Sequence, residues 1–406
     1  MSLPQPLPLE EAQQRLLALV EPLPIQHVDV EGALGRYLAA PLLARRTNPG
    51  ADTSAMDGYA VRSDDLDGPW RVVGESAAGH PCERTIRAGE AARISTGAAL
   101  PPGSDTVILQ EDVSREGDQV SLTGELPRPA NKHIRLKGMD VAEGHEILRA
   151  GIRLGPAQVA LAISAGHRHV PVRRMPRIAI LDSGDELASS VEDCASHQIP
   201  ASNGAMLAAM AAALPCETIR LGPVADDIDA LTQALSRAED ADFIVTSGGA
   251  SVGDHDLLRP ALERWGARID FWRVAIKPGK PLLVANRTSG DRRQLVLGLP
   301  GNPVSSHVTA YLFLLPMIRR FLGATEAMPR RIRTTLGAPV GANGARRTFL
   351  RAHWDGEIVI PNALQDSGAL SPLAASNVLI DRPAHSPAAQ AGDGVVVFLL
   401  QNGGVA

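Results

Sequence analysis

The chain has 406 residues, of which 44% are hydrophobic and 21% charged, and its 40 basic against 45 acidic groups give a formal net charge of -5 at pH 7. That length suggests roughly three domains, and this balance of apolar and charged side chains excludes both a disordered chain and a membrane-embedded one. The acidic balance and the 3% of aromatic residues also argue against nucleic acid as a partner, because its binders carry a basic excess and single-strand binders stack bases on aromatic platforms.

The first ten residues are rich in proline and have no basic segment leading into an apolar one, so no signal peptide is expected. Leu9 to Val20 places Leu9, Ala12, Leu16, Leu19 and Val20 on one side of a helix, which Pro22 and Pro24 end. From Thr47 to about Gly151 short β-type runs are broken by glycine and proline: Trp70 to Val73, Ala91 to Ser95, Thr106 to Leu109, Gln119 to Leu122 and His133 to Leu136. A β-rich domain without long helices is expected there.

Strand and helix then alternate from Arg177 onward. Strands are expected at Ile178 to Leu181, Thr218 to Leu221, Phe243 to Thr246, Leu282 to Ala285 and Leu295 to Leu297. Helices are expected at Ala205 to Leu214, from Ile228 behind an Asp226 or Asp227 cap, at Leu257 to Trp265 and at Val304 to Leu322. Such alternation implies a doubly wound, mainly parallel sheet covered by helices on both faces. Past Pro329 the runs Ile358 to Ile360 and Val395 to Leu400 predict a small all-β domain. No apolar run approaches the roughly 18 residues of a membrane span. Cys82, Cys194 and Cys216 are odd in number and lack CxxC spacing, so neither a disulfide framework nor a zinc site is expected and a reducing cytoplasm fits.

Ligands of open α/β sheets bind outside the carboxyl ends of the strands. Here those ends lead into Asp182-Ser183-Gly184-Asp185-Glu186, Ala225-Asp226-Asp227 and the loop from Ser247-Gly248-Gly249 through Ser251 to Asp254-His255-Asp256. Carboxylates on one rim repel unless a cation sits among them, and oxygen ligands with room for water and phosphate suit Mg²⁺. The plainer reading, equally open for any one acid, is a helix cap. Ser247 to Gly253 is a glycine-serine loop before a helix, whose N–H groups and dipole can hold phosphate, but it matches neither the dinucleotide fingerprint nor the P-loop. Lys277 and Lys280, two of the chain's few lysines, flank Pro278-Gly279 and suit a compact oxyanion as point charges. Gly298 to Ser305 is a rigid turn with Pro300 and with Pro303 at a helix start.

Together these segments resemble the molybdopterin molybdenumtransferase family, which includes the gephyrin E domain. The resemblance is carried by Ser54 to Arg62, Ile94 to Pro101, Ser183 to Leu187, Ser247 to Asp256, Ile276 to Pro281 and Gly298 to Ser305, in the family's order. It implies an elongated homodimer of four domains: a linking domain from 25–45 and 151–176, a β-rich insert at 46–150, an α/β domain from 1–24 and 177–325, and a C-terminal β domain at 326–406. It implies further a cleft shared between subunits and a Mg²⁺-dependent cleavage of adenylylated molybdopterin that passes molybdate to the dithiolene and releases AMP. Transient contacts with the pathway's adenylyltransferase and with molybdoenzyme chaperones are also implied.

Carried over residue by residue, the family's acids fall on Glu186, Asp226 and Asp256 as metal and catalytic groups, and Asp57 and Thr96 match catalytic positions in the insert. Lys277, Lys280, Arg351 and Ser367 match an oxyanion pocket, and Pro300, Pro303 and Ser305 the pterin side. The pattern is broken at Asp182-Ser183, at Ala201 and at Asp366, where a carboxylate beside the pocket would oppose a bound anion by about 1 to 4 kcal/mol at roughly 4 Å. Two rivals are the single-domain adenylylating enzyme of the same pathway, which lacks the flanking domains, and a non-catalytic scaffold, which would not need the acids.

Overall fold

Strands buried on both faces read as unbroken apolar runs, and those at the centre of this chain form one six-stranded sheet. The computed structural model describes residues 5–249, 257–290 and 292–400. Across the sheet lie Glu217–Val224, Arg177–Ser183, Phe243–Ser247, Arg292–Leu299, Leu283–Ser289 and Arg268–Trp272. The first four are parallel, Leu283–Ser289 pairs antiparallel with both of its neighbours, and Arg268–Trp272 therefore runs in the direction of the first four. Leu283–Ser289 and Arg292–Leu299 are too close in sequence for a crossover helix, so they can only form a hairpin. The Arg268–Trp272 strand, mixed in charge and apolarity, had no clear signal in the sequence.

Alternation along each strand splits the core. Ile178, Ile180, Phe243 and Val245 pack under helices Leu9–Ala18 and Asn203–Ala211 and the segment 303–321, whereas Ala179, Leu181 and Ile244 pack under Ile228–Arg237 and Leu258–Arg264. The long closing helix is α-helical at Pro303–Thr309 and Leu315–Phe321 but has a wide turn at Ala310–Leu314. Pro316 lacks the N–H that would reach the Leu312 carbonyl. Gln13 from the first helix donates to that buried carbonyl instead, at 2.9 Å.

The insert folds into a six-stranded sheet in the order Thr106–Leu109, Gly58–Val61, Glu90–Ile94, Trp70–Ser76, Gln119–Leu122 and Val113–Glu116. Ile25–Asp29 pairs antiparallel with His169–Arg173 beside the helix Pro156–Ser164, forming the link. In the C-terminal region five strands close on themselves: Arg347–Trp354, Ile358–Pro361, Arg331–Leu336, Gly394–Leu399 and Val378–Arg382. A short strand of the α/β domain, Ile276–Lys277, is hydrogen-bonded in parallel to Arg347-Thr348 at the edge of this barrel. Among the described residues no helix is long and apolar enough to cross a membrane.

Candidate functional site

At the carboxyl ends of the parallel strands the apolar runs stop and a cleft of about 760 Å³ opens. Glu186 is exposed on its rim, and Asp226 is half-buried and donates its backbone N–H to Asp185 Oδ1 at 3.1 Å. Asp227, not Asp226, caps the following helix, accepting from the Ala230 N–H at 2.9 Å. The helix-cap explanation therefore belongs to Asp227, and Asp226 faces the cleft. Gly248 has a φ of +98°, and a Cβ there would lie 2.4 Å from the Ser183 carbonyl, so only glycine lets the two strand ends approach this closely. Asn203 ties the cleft together, donating to Ser247 Oγ at 2.9 Å and to the Gly301 carbonyl at 2.6 Å.

Asp182 forms part of the cleft wall and is only 3% exposed. Burial raises its pKa, opposed by Arg220, whose Nη2 lies 3.9 Å from Oδ2, and by the Gly204 N–H. Its other oxygen has no hydrogen-bond partner among the described residues.

A second cavity of about 420 Å³ lies next to this cleft, with Pro303 and Gly368 on the cleft side and Ser305 and Ser367 on the other. Lys277 and Lys280 line it, and both are exposed. Asn302 holds Ser367 in place, donating to its Oγ at 3.1 Å, while the Val304 N–H donates to the Ser367 carbonyl. Asp366 also lines this cavity, and its Oδ1 accepts from the Gly368 N–H at 2.8 Å. That turn fixes the carboxylate locally but does not remove its charge from the pocket.

Arg351 is placed differently from the open anion contact its motif suggests. It is 1% exposed and donates to the carbonyls of Leu364, Asp366 and Ala369 at 3.1, 2.7 and 3.2 Å. Burial lowers its pKa, partly offset by Asp366. The guanidinium thus organises the 364–369 loop that presents Ser367. Asp57 and Thr96 meet each other in the insert: the Thr96 N–H and hydroxyl donate to Asp57 Oδ1 at 2.6 and 3.0 Å, which lowers the Asp57 pKa. Neither lines the cleft or the lysine cavity of the same chain. Ser251 and Asp256 lie outside the described residues. Ser247, Gly248, Gly249, Pro300 and Pro303 all line the cleft.

Sequence reasoning did not single out Asn203 or Asn302. Each acts through residues distant in the chain, so no local spacing marked them. Among the described residues no three His, Cys, Asp or Glu side chains are grouped to hold a metal by themselves. Glu186 and Asp226 on one cleft fit Mg²⁺, which commonly takes one or two carboxylates and completes its shell with water and substrate phosphate.

An open α/β sheet, flanked by a β-rich insert and a small barrel, defines a multidomain α/β protein with a ligand cleft at the strand ends. Three family models match in succession: the MoeA N-terminal region (domain I and II) over residues 7–166, a probable molybdopterin binding domain over 179–320 and the MoeA C-terminal region (domain IV) over 333–400. A molybdopterin molybdenumtransferase of Nostoc sp. is 35% identical over 92% of this chain and 88% of its own length, and one of Staphylococcus aureus 31% identical over 98% and 96%. The crystal structure of a molybdopterin biosynthesis moeA protein from Pyrococcus horikoshii superposes with a TM-score of 0.84 at 26% identity, covering 98% of this chain and 100% of that one. The chain belongs to the molybdopterin molybdenumtransferase family of enzymes.

Proposed function

We propose that this protein inserts molybdenum into molybdopterin: it cleaves the adenylate from adenylylated molybdopterin, passes molybdate to the dithiolene and releases AMP. The observation that carries this is the pairing of an acidic strand-end cleft with an adjoining lysine-lined cavity, the two separated by the Pro303 to Ser305 turn and the Ser367-Gly368 loop. The cleft suits a phosphate-bearing substrate near a cation, and the cavity suits a compact oxyanion.

Glu186 and Asp226, with Asp256 from the family pattern, are the groups that would hold Mg²⁺, which supplies charge neutralisation as the phosphate bond breaks. Ser247 and the N–H groups of Gly248 and Gly249 would bind the phosphates, and Asn203 keeps their loop in register with Gly301. Lys277 and Lys280 would hold molybdate, with Ser305 and Ser367 as hydroxyl partners. Pro300 and Pro303 would shape the pterin side. Asp57 and Thr96, oriented by their mutual hydrogen bonds, would serve the cleft of a second subunit in a homodimer.

The test is AMP release from preformed adenylylated molybdopterin and molybdate, with Mg²⁺ present or chelated. AMP release should depend on the metal and fall by at least about a hundredfold in Asp226→Ala and in Asp256→Ala with the assembly intact. Turnover that needs ATP and un-adenylylated pterin would point to the rival adenylylation chemistry, and pterin binding without any turnover to a scaffold.

A further inference from the structure

The C-terminal strand and the residue before it carry three arginines within six positions, Arg346, Arg347 and Arg351, and the fold commits two of them. Arg347 is fixed by the buried carboxylate of Asp381 and by Glu10 of the first helix. Arg351 is buried and clamps the 364–369 loop. Arg346 is exposed, and among the described residues its guanidinium has neither a carboxylate within ion-pairing distance nor a hydrogen-bond acceptor.

Its position is set by long-range pairing. Lys277 enters the barrel edge opposite Thr348, and Ile276 lies opposite Arg347, which brings Arg346 into the lining of the lysine cavity. Arg346 and Lys277 also line a neighbouring cavity of about 370 Å³, so the two basic side chains are shared by both cavities. A planar guanidinium can donate two parallel hydrogen bonds to one oxyanion, whereas an ammonium acts as a point charge.

We propose that Arg346 is a substrate-contact residue of the oxyanion pocket: with Lys277 and Lys280 it binds tetrahedral molybdate at the boundary of these two cavities. This rests on the molybdenum-insertion reading above. The contact offsets the repulsion from Asp366, the carboxylate that lines the same pocket.

The experiment is calorimetric titration of sodium molybdate, and of sodium sulfate in parallel, into the full chain and its Arg346→Gln and Arg346→Lys variants, with AMP release followed against molybdate concentration. Arg346→Gln should weaken molybdate binding roughly tenfold and raise KM for molybdate by a similar factor. Its KM for adenylylated pterin should stay within about twofold, and Arg346→Lys should recover part of the loss while the unfolding midpoint remains that of wild type. Binding of molybdate by Arg346→Gln as tight as by wild type overturns the proposal. So does a shift confined to KM for the adenylylated pterin, which would assign Arg346 to the substrate's phosphates. Wild type that binds molybdate through Arg346 yet releases no AMP would instead overturn the molybdenum-insertion reading and leave this contact standing.

Discussion

The acidic cleft and the basic cavity touch, yet they are built in opposite ways. The cleft comes from one domain and one local rule: parallel strands end, glycine-rich loops turn, helices begin, and polar side chains collect where the apolar runs stop. The basic cavity draws on the Ile276–Lys277 strand, the start of the closing helix, the 364–369 loop and the barrel strand Arg347–Trp354. Its third cation, Arg346, is therefore brought in by docking between domains. A site of the first kind is defined by which residues follow a strand, and a site of the second kind by which cations the rest of the fold leaves uncommitted.

The acidic side is where this contrast breaks most completely. Glu186→Gln should lower AMP release by about a hundredfold with little change in stability, because the side chain is exposed on the rim. Mixing it with Asp57→Asn should restore turnover if the insert of one subunit serves the cleft of the other, since mixed dimers then hold one intact site. No recovery on mixing would place both acids in the same chain's site.

The basic side separates into structure and chemistry. Arg351→Met should cost about 3 kcal/mol in a urea-unfolding measurement, because three loop carbonyls lose a charged donor. Lys277→Gln should stay within about 0.5 kcal/mol of wild type, as expected for an exposed side chain, while weakening molybdate binding. Equal stability losses in the two variants would erase the distinction between clamp and contact.

The smallest expected effect lies at Asp182, where burial raises the carboxyl pKa. The folded state then holds this proton more tightly than the unfolded chain. That contribution is complete below the unfolded value, about 3.9, and is lost as pH rises through the raised folded value. Asp182→Asn should therefore gain in unfolding midpoint relative to wild type as pH rises from about 4. A difference independent of pH would show that the carboxyl does not titrate across folding.

Much of the fold was legible because it rests on periodicity. The runs at Ile178 to Leu181 and Phe243 to Thr246 read as strands covered on both faces, and their polar ends at Asp182 and Ser247 mark the cleft. Lys277 and Ser367, matched through the family resemblance, line one cavity in the fold. What sequence could not supply was the fate of each polar group once packed. Asp226 and Asp227 are indistinguishable as candidate caps until the helix start is seen to choose Asp227. Arg351 reads as an anion ligand until its guanidinium is found among loop carbonyls, and Arg346 reads as nothing until its two strand-mates are found engaged. Chain order fixes which residues must leave water, because burial follows from local pattern. Tertiary structure alone decides which charges find partners, because those partners lie dozens to hundreds of residues away and pairing is settled only when the domains dock.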